Sequence, residues 1–112
     1  MSSETTAHLI PWNRTTAPDQ VEAEARLSRE GYESFRWNDA PGEIYPNHRH
    51  DYDECIWVLS GEMELAIAGK KVALAPGDRL YLPARIGHTL VVTHPLGVTY
   101  LVGQRKRKLP PE

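Results

Sequence analysis

His48, His50 and Glu54 lie within one run, GEIYPNHRHDYDECIWVLSG from Gly42 to Gly61, and each carries a side chain that divalent metals accept. The two histidines are two residues apart, so on an extended strand they point to the same face. Glu54 follows His50 by four residues, an even offset that returns to that face if pairing resumes after Asp51-Tyr52-Asp53. Metals of this kind usually take a further ligand. His88 is the candidate, because it opens a second apolar stretch, HTLVVT, far away in sequence. These four residues are the expected functional centre.

Short strands must position them. Strands are predicted near 33–38, 43–45, 54–60, 62–68, 71–74, 79–82, 88–93 and 98–102, separated by Asn38-Asp39-Ala40-Pro41-Gly42, Ser60-Gly61, Gly69-Lys70, Pro76-Gly77 and His94-Pro95-Leu96-Gly97. In Ala68-Gly69-Lys70-Lys71 a glycine at the first central position predicts a hairpin with a type II′ turn. Such close, regular spacing argues for an antiparallel sandwich or barrel over a βαβ fold. Upstream, residues 1–16 read as an arm in which His8-Leu9-Ile10 adds a short strand ended by Pro11. A helix occupies 17–31, with Thr16 as N-cap, Pro18 in the first turn, a thin apolar face of Val21, Ala25 and Leu27, and Gly31 as its stop. The barrel domain is expected over 32–104, and 105–112 reads as a basic, solvated tail.

At 112 residues the chain is one domain with one modest core, for which self-association is a natural supplement. Thirteen Lys and Arg against fifteen Asp and Glu give no reason to expect nucleic acid or a membrane surface as partner. The single Cys55 excludes an internal disulfide, the N-terminus lacks a basic start and apolar run, and no stretch approaches the ~20 apolar residues of a bilayer span. The expected location is the cytoplasm.

The same residues resemble the two motifs of the cupin superfamily. The first is a Gly, five residues, His-x-His, three or four residues, Glu, six residues and Gly, met here by Gly42, His48, His50, Glu54 and Gly61. The second, Gly, five residues, Pro, then His five positions later, is met by Gly77, Pro83 and His88. There are two departures: Arg85 stands where the family usually has Gly, and Val92 where it often has Asn, with Gly87 the expected supplier of backbone freedom. The resemblance implies an all-β cupin double-stranded β-helix, a jelly-roll barrel with a short N-terminal helix. It implies one divalent transition metal held inside by His48, His50, Glu54 and His88. The ligand types suit Fe, Mn, Ni, Cu or Zn, and four protein ligands around a six-coordinate ion leave positions open for substrate.

By strand parity Ile56, Val58, Leu90 and Val92 share the ligand face and are expected to line the pocket, with Tyr52 and Arg85 at its rim; Tyr45 and Arg36 are ordinary surface or rim residues that also have the reach. Cys55 has the opposite parity and reads as a packed core thiol, while His8 and His94 read as exposed. Trp57 and Tyr81 are expected to face outward and, with the N-terminal arm, to build a homodimer. The leading functional expectation is a metal-dependent oxygenase, dioxygenase-like, acting on a small oxygenated or enolisable organic substrate, with Glu54 the ligand that also moves protons. The alternatives are a redox-silent isomerase, lyase or cyclase, and a non-catalytic small-molecule sensor; the short helical region shows no helix-turn-helix pattern.

Overall fold

The computed structural model of the chain describes residues 7–106. Its elements, in chain order, are β1 (His8–Ile10), α1 (Gln20–Arg29), β2 (Glu33–Asp39), β3 (Ile44–His48), β4 (Tyr52–Gly61), β5 (Met63–Ile67), β6 (Lys70–Leu74), β7 (Arg79–Leu82), β8 (His88–Val92) and β9 (Val98–Lys106). They form two antiparallel sheets, one in the order β1-β7-β4-β9-β2 and the other β3-β8-β5-β6. This is the expected jelly-roll barrel with a short N-terminal helix. No helix among the described residues is long and apolar enough to cross a membrane.

Period-2 alternation sets which side chains enter the space between the sheets. Along β5 Met63, Leu65 and Ile67 are buried and their neighbours half-buried; along β8 the buried positions are His88, Leu90 and Val92. The apolar ones meet Ile56 and Val58 of β4, Leu80 and Leu82 of β7, and Tyr100 of β9 in one cluster.

Strand β4 is buried on both faces from Glu54 to Leu59. Its outer residues Cys55, Trp57 and Leu59 pack with Leu101 of β9 beneath Ala23 and Leu27 of α1 and Tyr32. Trp57 does face outward from the barrel, as expected, but the chain's own helix covers it, so it packs within the chain. The face that α1 buries is Ala23 and Leu27, one turn apart, and Val21 is 71% exposed, with Ala25 also outside. The helix starts later than expected. Asp19, not Thr16, is its N-cap, and the Thr16 carbonyl instead accepts the indole N–H of Trp12 at 2.8 Å. Gly31 does end it, at φ 92°.

A buried arginine pins this helix to the sheet. Arg79 of β7 donates from Nη2 to Glu30 Oε1 at 2.6 Å, lies 3.6 Å from Cys55 Sγ, and sits 4.3 Å from the Trp57 ring centroid. Tyr81 adds its hydroxyl to Glu30 at 2.9 Å. Burial alone would raise the Glu30 pKa, but the hydrogen bonds from Arg79 and Tyr81 and the Arg79 charge outweigh it and hold the carboxyl below its usual range. Burial pushes the Cys55 thiol up to about 11, so it is a core thiol at neutral pH.

Two further expectations are revised. The β5–β6 hairpin pairs Ile67 with Lys70, so its central residues are Ala68 (φ 51°) and Gly69 (φ 79°), a pattern of two positive φ values that defines type I′ and not II′. Strand β9 continues through Lys106 against Tyr52, so Arg105 is not part of a solvated tail. It donates to the Glu30 carbonyl at 2.9 Å and approaches Asp53 at 3.4 Å. Residues 1–6 of the expected arm and 107–112 of the expected tail lie outside the described residues.

Replacing Glu30 with alanine strands the buried Arg79 guanidinium and is expected to lower unfolding stability by about 2–4 kcal/mol, read from the urea midpoint. A change within experimental error would mean that α1 is held by Ala23 and Leu27 alone.

Candidate metal centre

Strand β4 enters the barrel with Glu54 on its inner side, beside Ile56 and Val58. The carboxylate is 7% exposed, and its Oε1 has no hydrogen-bond partner. It faces two imidazoles: His50 Nε2 at 3.7 Å and His88 Nε2 at 3.6 Å. One atom from each of the three residues lies within 4.8 Å of the other two. Nothing within hydrogen-bond distance offsets the desolvation of that oxygen, which is normally costly.

The histidines are held ready to be ligands. His88 Nδ1 lies 3.2 Å from the Ile86 carbonyl, which only accepts, so Nδ1 carries the proton and the Nε2 lone pair is turned toward Glu54. His50 stacks on Tyr52, ring centroids 4.8 Å apart and planes 15° from parallel, and its carbonyl accepts the Arg85 amide at 2.6 Å. Burial first, then the neighbouring His48, lowers the pKa of His50; burial, with His50 and His48 behind it, lowers that of His88 despite the opposing Ile86 bond. Both rings are therefore neutral at pH 7, and their approaches to Glu54 are not ion pairs. Burial pushes the Glu54 carboxyl up to about 7.

This donor set fits a divalent transition metal. Two neutral imidazole nitrogens and an unpartnered buried carboxylate oxygen converge, and two ligands at ~2.1 Å from one ion stand about 3.0–3.5 Å apart at tetrahedral or octahedral angles. His50, Glu54 and His88 would hold it.

The structure brings together three of the four residues expected from sequence. His48 pairs in register with His88, yet it is exposed and stands outside the converged atoms, its ring 5.8 Å from that of His50 and 6.2 Å from that of His88. The cause is local. The β3–β8 register slips between Tyr45 and His48, and Asn47 takes φ 45°, so strict alternation fails there. Ile56, Val58, Leu90 and Val92 lie in the packed core, and Tyr52 lines the cavity above the site. Arg85 is exposed and 3.7 Å from Asp51. Arg85, not Gly87, takes the left-handed backbone (φ 70°), at the position where the cupin motif usually has glycine. His8, exposed, stacks on Tyr81, and His94, half-buried, accepts the Leu96 amide at 3.0 Å.

A cavity of ≈ 370 Å³ opens beside His50 and Glu54. Sequence reasoning missed most of its wall: Phe35 and Trp37 from β2, and Tyr100, Val102 and Gln104 from β9. The available signal was parity within each strand, which puts Phe35 with Trp37 and Tyr100 with Val102; the register, Phe35 to Val102 and Trp37 to Tyr100, is what joins the two pairs on one face. Below them Asp39 joins the two sheets, accepting from Tyr100 at 2.6 Å and from Tyr45 of β3 at 2.6 Å.

The family model described as "Cupin domain" matches residues 35–102. The fold is similar to that of a cupin 2 domain-containing protein from Halorhodospira halophila (TM-score 0.67, 15% identity, 95% of this chain and 82% of that one). It is also similar to the DMSP lyase DddQ from Ruegeria pomeroyi (TM-score 0.62, 26% identity, 72% of this chain and 41% of that one). Among curated proteins, 50 residues, 45% of the chain, are 40% identical to the HTH-type transcriptional activator RhaS of Mannheimia succiniciproducens; the match spans 19% of that protein's length.

In the metal-free protein Glu54 binds its proton more tightly when folded (about 7) than when unfolded (4.5), so this group makes the fold less stable as pH rises through that window. Glu54→Gln removes the penalty. It is expected to raise metal-free stability by about 2–3 kcal/mol at pH 8, shrinking toward zero near pH 5, in paired denaturation curves in which the histidine contributions cancel. An equal difference at both pH values would contradict the assignment.

Proposed function

The chain belongs to the cupin domain family, and from that footing we propose that it is a metal-dependent enzyme, an oxygenase acting on a small oxygenated or enolisable organic molecule. The observation that carries the reading is the unpartnered, buried Glu54 oxygen between two neutral imidazoles at the edge of an open cavity. Two histidines and one carboxylate with open positions are the donor set of non-haem iron oxygenases. When bound, an Fe, Mn, Ni, Cu or Zn ion supplies Lewis acidity and, if redox-active, one-electron chemistry with dioxygen.

The chain's own residues supply the rest. His88, fixed through Nδ1 to Ile86, presents one lone pair. His50 is oriented by its stack on Tyr52. His48, beside both rings, is the fourth ligand in this proposal, brought in by side-chain rotation from its exposed position. Glu54, the one carboxylate of the set, is in this proposal the ligand that also takes up or releases a proton at Oε1. The largely apolar cavity wall gives a small organic molecule a surface beside the reacting atoms.

A second reading, redox-silent lyase, isomerase or cyclase chemistry at the same residues, is favoured by the likeness to a lyase at 26% identity. A third, a small-molecule sensor, draws on the partial likeness to a transcriptional activator. Reconstituting chelator-treated protein with each metal and screening β-diketones and phenols in an oxygen electrode separates them. Substrate-dependent oxygen uptake by the iron or copper form is expected, falling at least about a hundredfold in His88→Ala. Turnover by the zinc form without oxygen uptake would move the redox-silent reading to first place, and binding without turnover the sensor.

A further inference from the structure

The composition of the cavity wall narrows the substrate class. Phe35 and Trp37 project from the edge strand β2 and remain 43% and 50% exposed, whereas Ile56 and Val58 of β4 and Leu80 and Leu82 of β7 in the same sheet are buried. Tyr100 and Val102 lie directly across from them on β9, and Tyr52 continues the aromatic surface to the His50 ring. The Tyr100 hydroxyl is committed to Asp39, so this residue offers the cavity its ring and not a free hydroxyl. Among the described residues lining the cavity there is no lysine or arginine, and the only ionisable groups besides the tyrosines are His50 and Glu54 of the candidate metal centre. Gln104 is the one neutral amide.

A phosphate or carboxylate held along this wall, away from the candidate metal centre, would lose its water and gain no cation, which is strongly disfavoured. A flat π-system gains ring-to-ring contact on several sides, where aromatic pairs contribute beyond simple burial. The volume of ≈ 370 Å³ equals that of about a dozen water molecules at ~30 Å³ each, so the space suits roughly a dozen heavy atoms. Resting on the preceding reading for the position of the metal, we propose that the substrate is an uncharged, flat aromatic or conjugated compound carrying one hydroxyl or keto oxygen. Its rings lie along Phe35, Trp37 and Tyr100, and that oxygen points toward His50, Glu54 and His88. Trp37 is a specificity-determining residue and not a ligand.

The test is calorimetric titration of metal-free protein with 1-naphthol, 1-naphthyl phosphate and the saturated analogue decahydro-1-naphthol. The expected result is saturable binding of 1-naphthol at one site, at least tenfold weaker binding of the other two, and at least tenfold weaker naphthol binding by Trp37→Ala. Leu96→Ser, at an exposed apolar residue away from the cavity, is expected to leave binding unchanged. Phe35→Ala serves if Trp37→Ala does not fold. Equal affinity for the phosphate or the saturated analogue overturns the proposal, as does the absence of naphthol binding. Unchanged binding in Trp37→Ala with a halved mass by light scattering also overturns it, because a second copy of the chain would then be what covers these rings. Naphthol binding by protein that takes up no metal keeps this inference and removes the metal reading; metal uptake with no naphthol binding does the reverse.

Discussion

An acidic side chain sealed inside a barrel without a hydrogen-bond partner is the constraint on which this structure turns. Glu54 Oε1 is cut off from water and has no hydrogen-bond partner; two imidazole nitrogens face it at 3.6 and 3.7 Å, and that of His88 presents its lone pair. A protein without a use for that oxygen would be more stable with an apolar residue in its place. A shared cation resolves all three groups at once: it takes the carboxylate charge and uses both lone pairs. The raised Glu54 pKa and the lowered histidine pKa values are two expressions of one arrangement, three titratable groups desolvated together.

Holding such an arrangement needs rigidity on both sides of β4. On its inner face Glu54 continues into Ile56 and Val58, which pack against β5, β7 and β8. On its outer face Cys55 and Trp57 are locked under α1 by Leu27 and by the Arg79–Glu30 pair. The strand that carries the carboxylate is thus fixed from both directions, and the helix, remote from the cavity, acts as a clamp on it. The cavity side is built differently. Edge strand β2 leaves Phe35 and Trp37 open to solvent, so the site is rigid where the ligands are held and accessible where a small molecule would enter.

Much of this was legible in the sequence because period-2 alternation holds from Glu54 to Val58 of β4 and along β8. Glu54 with Ile56 and Val58, and His88 with Leu90 and Val92, fall on the interior face as their spacing demands. The failures share a physical cause: each depends on a backbone choice or a contact that alternation does not encode. An irregularity at Asn47 breaks the alternation along β3, so His48 stands exposed beside the other rings and not among the converged atoms. Trp57 was assigned to the outside of the sheet correctly by parity, but only packing reveals that a helix lies over it. Arg85 adopts a left-handed conformation that its residue type disfavours, so the sequence pointed to Gly87 instead. The aromatic wall joins residues some 65 positions apart, and nothing short of the β2–β9 register puts Trp37 opposite Tyr100.

The central claim, that Glu54 and its histidines exist to hold a metal, is tested most directly by elemental analysis of tag-free protein purified without chelators. About one equivalent of a transition metal per chain is expected for the wild type, and less than about a tenth of that for Glu54→Ala. A folded wild-type protein that carries no transition metal, and takes none up when Fe, Mn, Ni, Cu or Zn is supplied, would contradict the account.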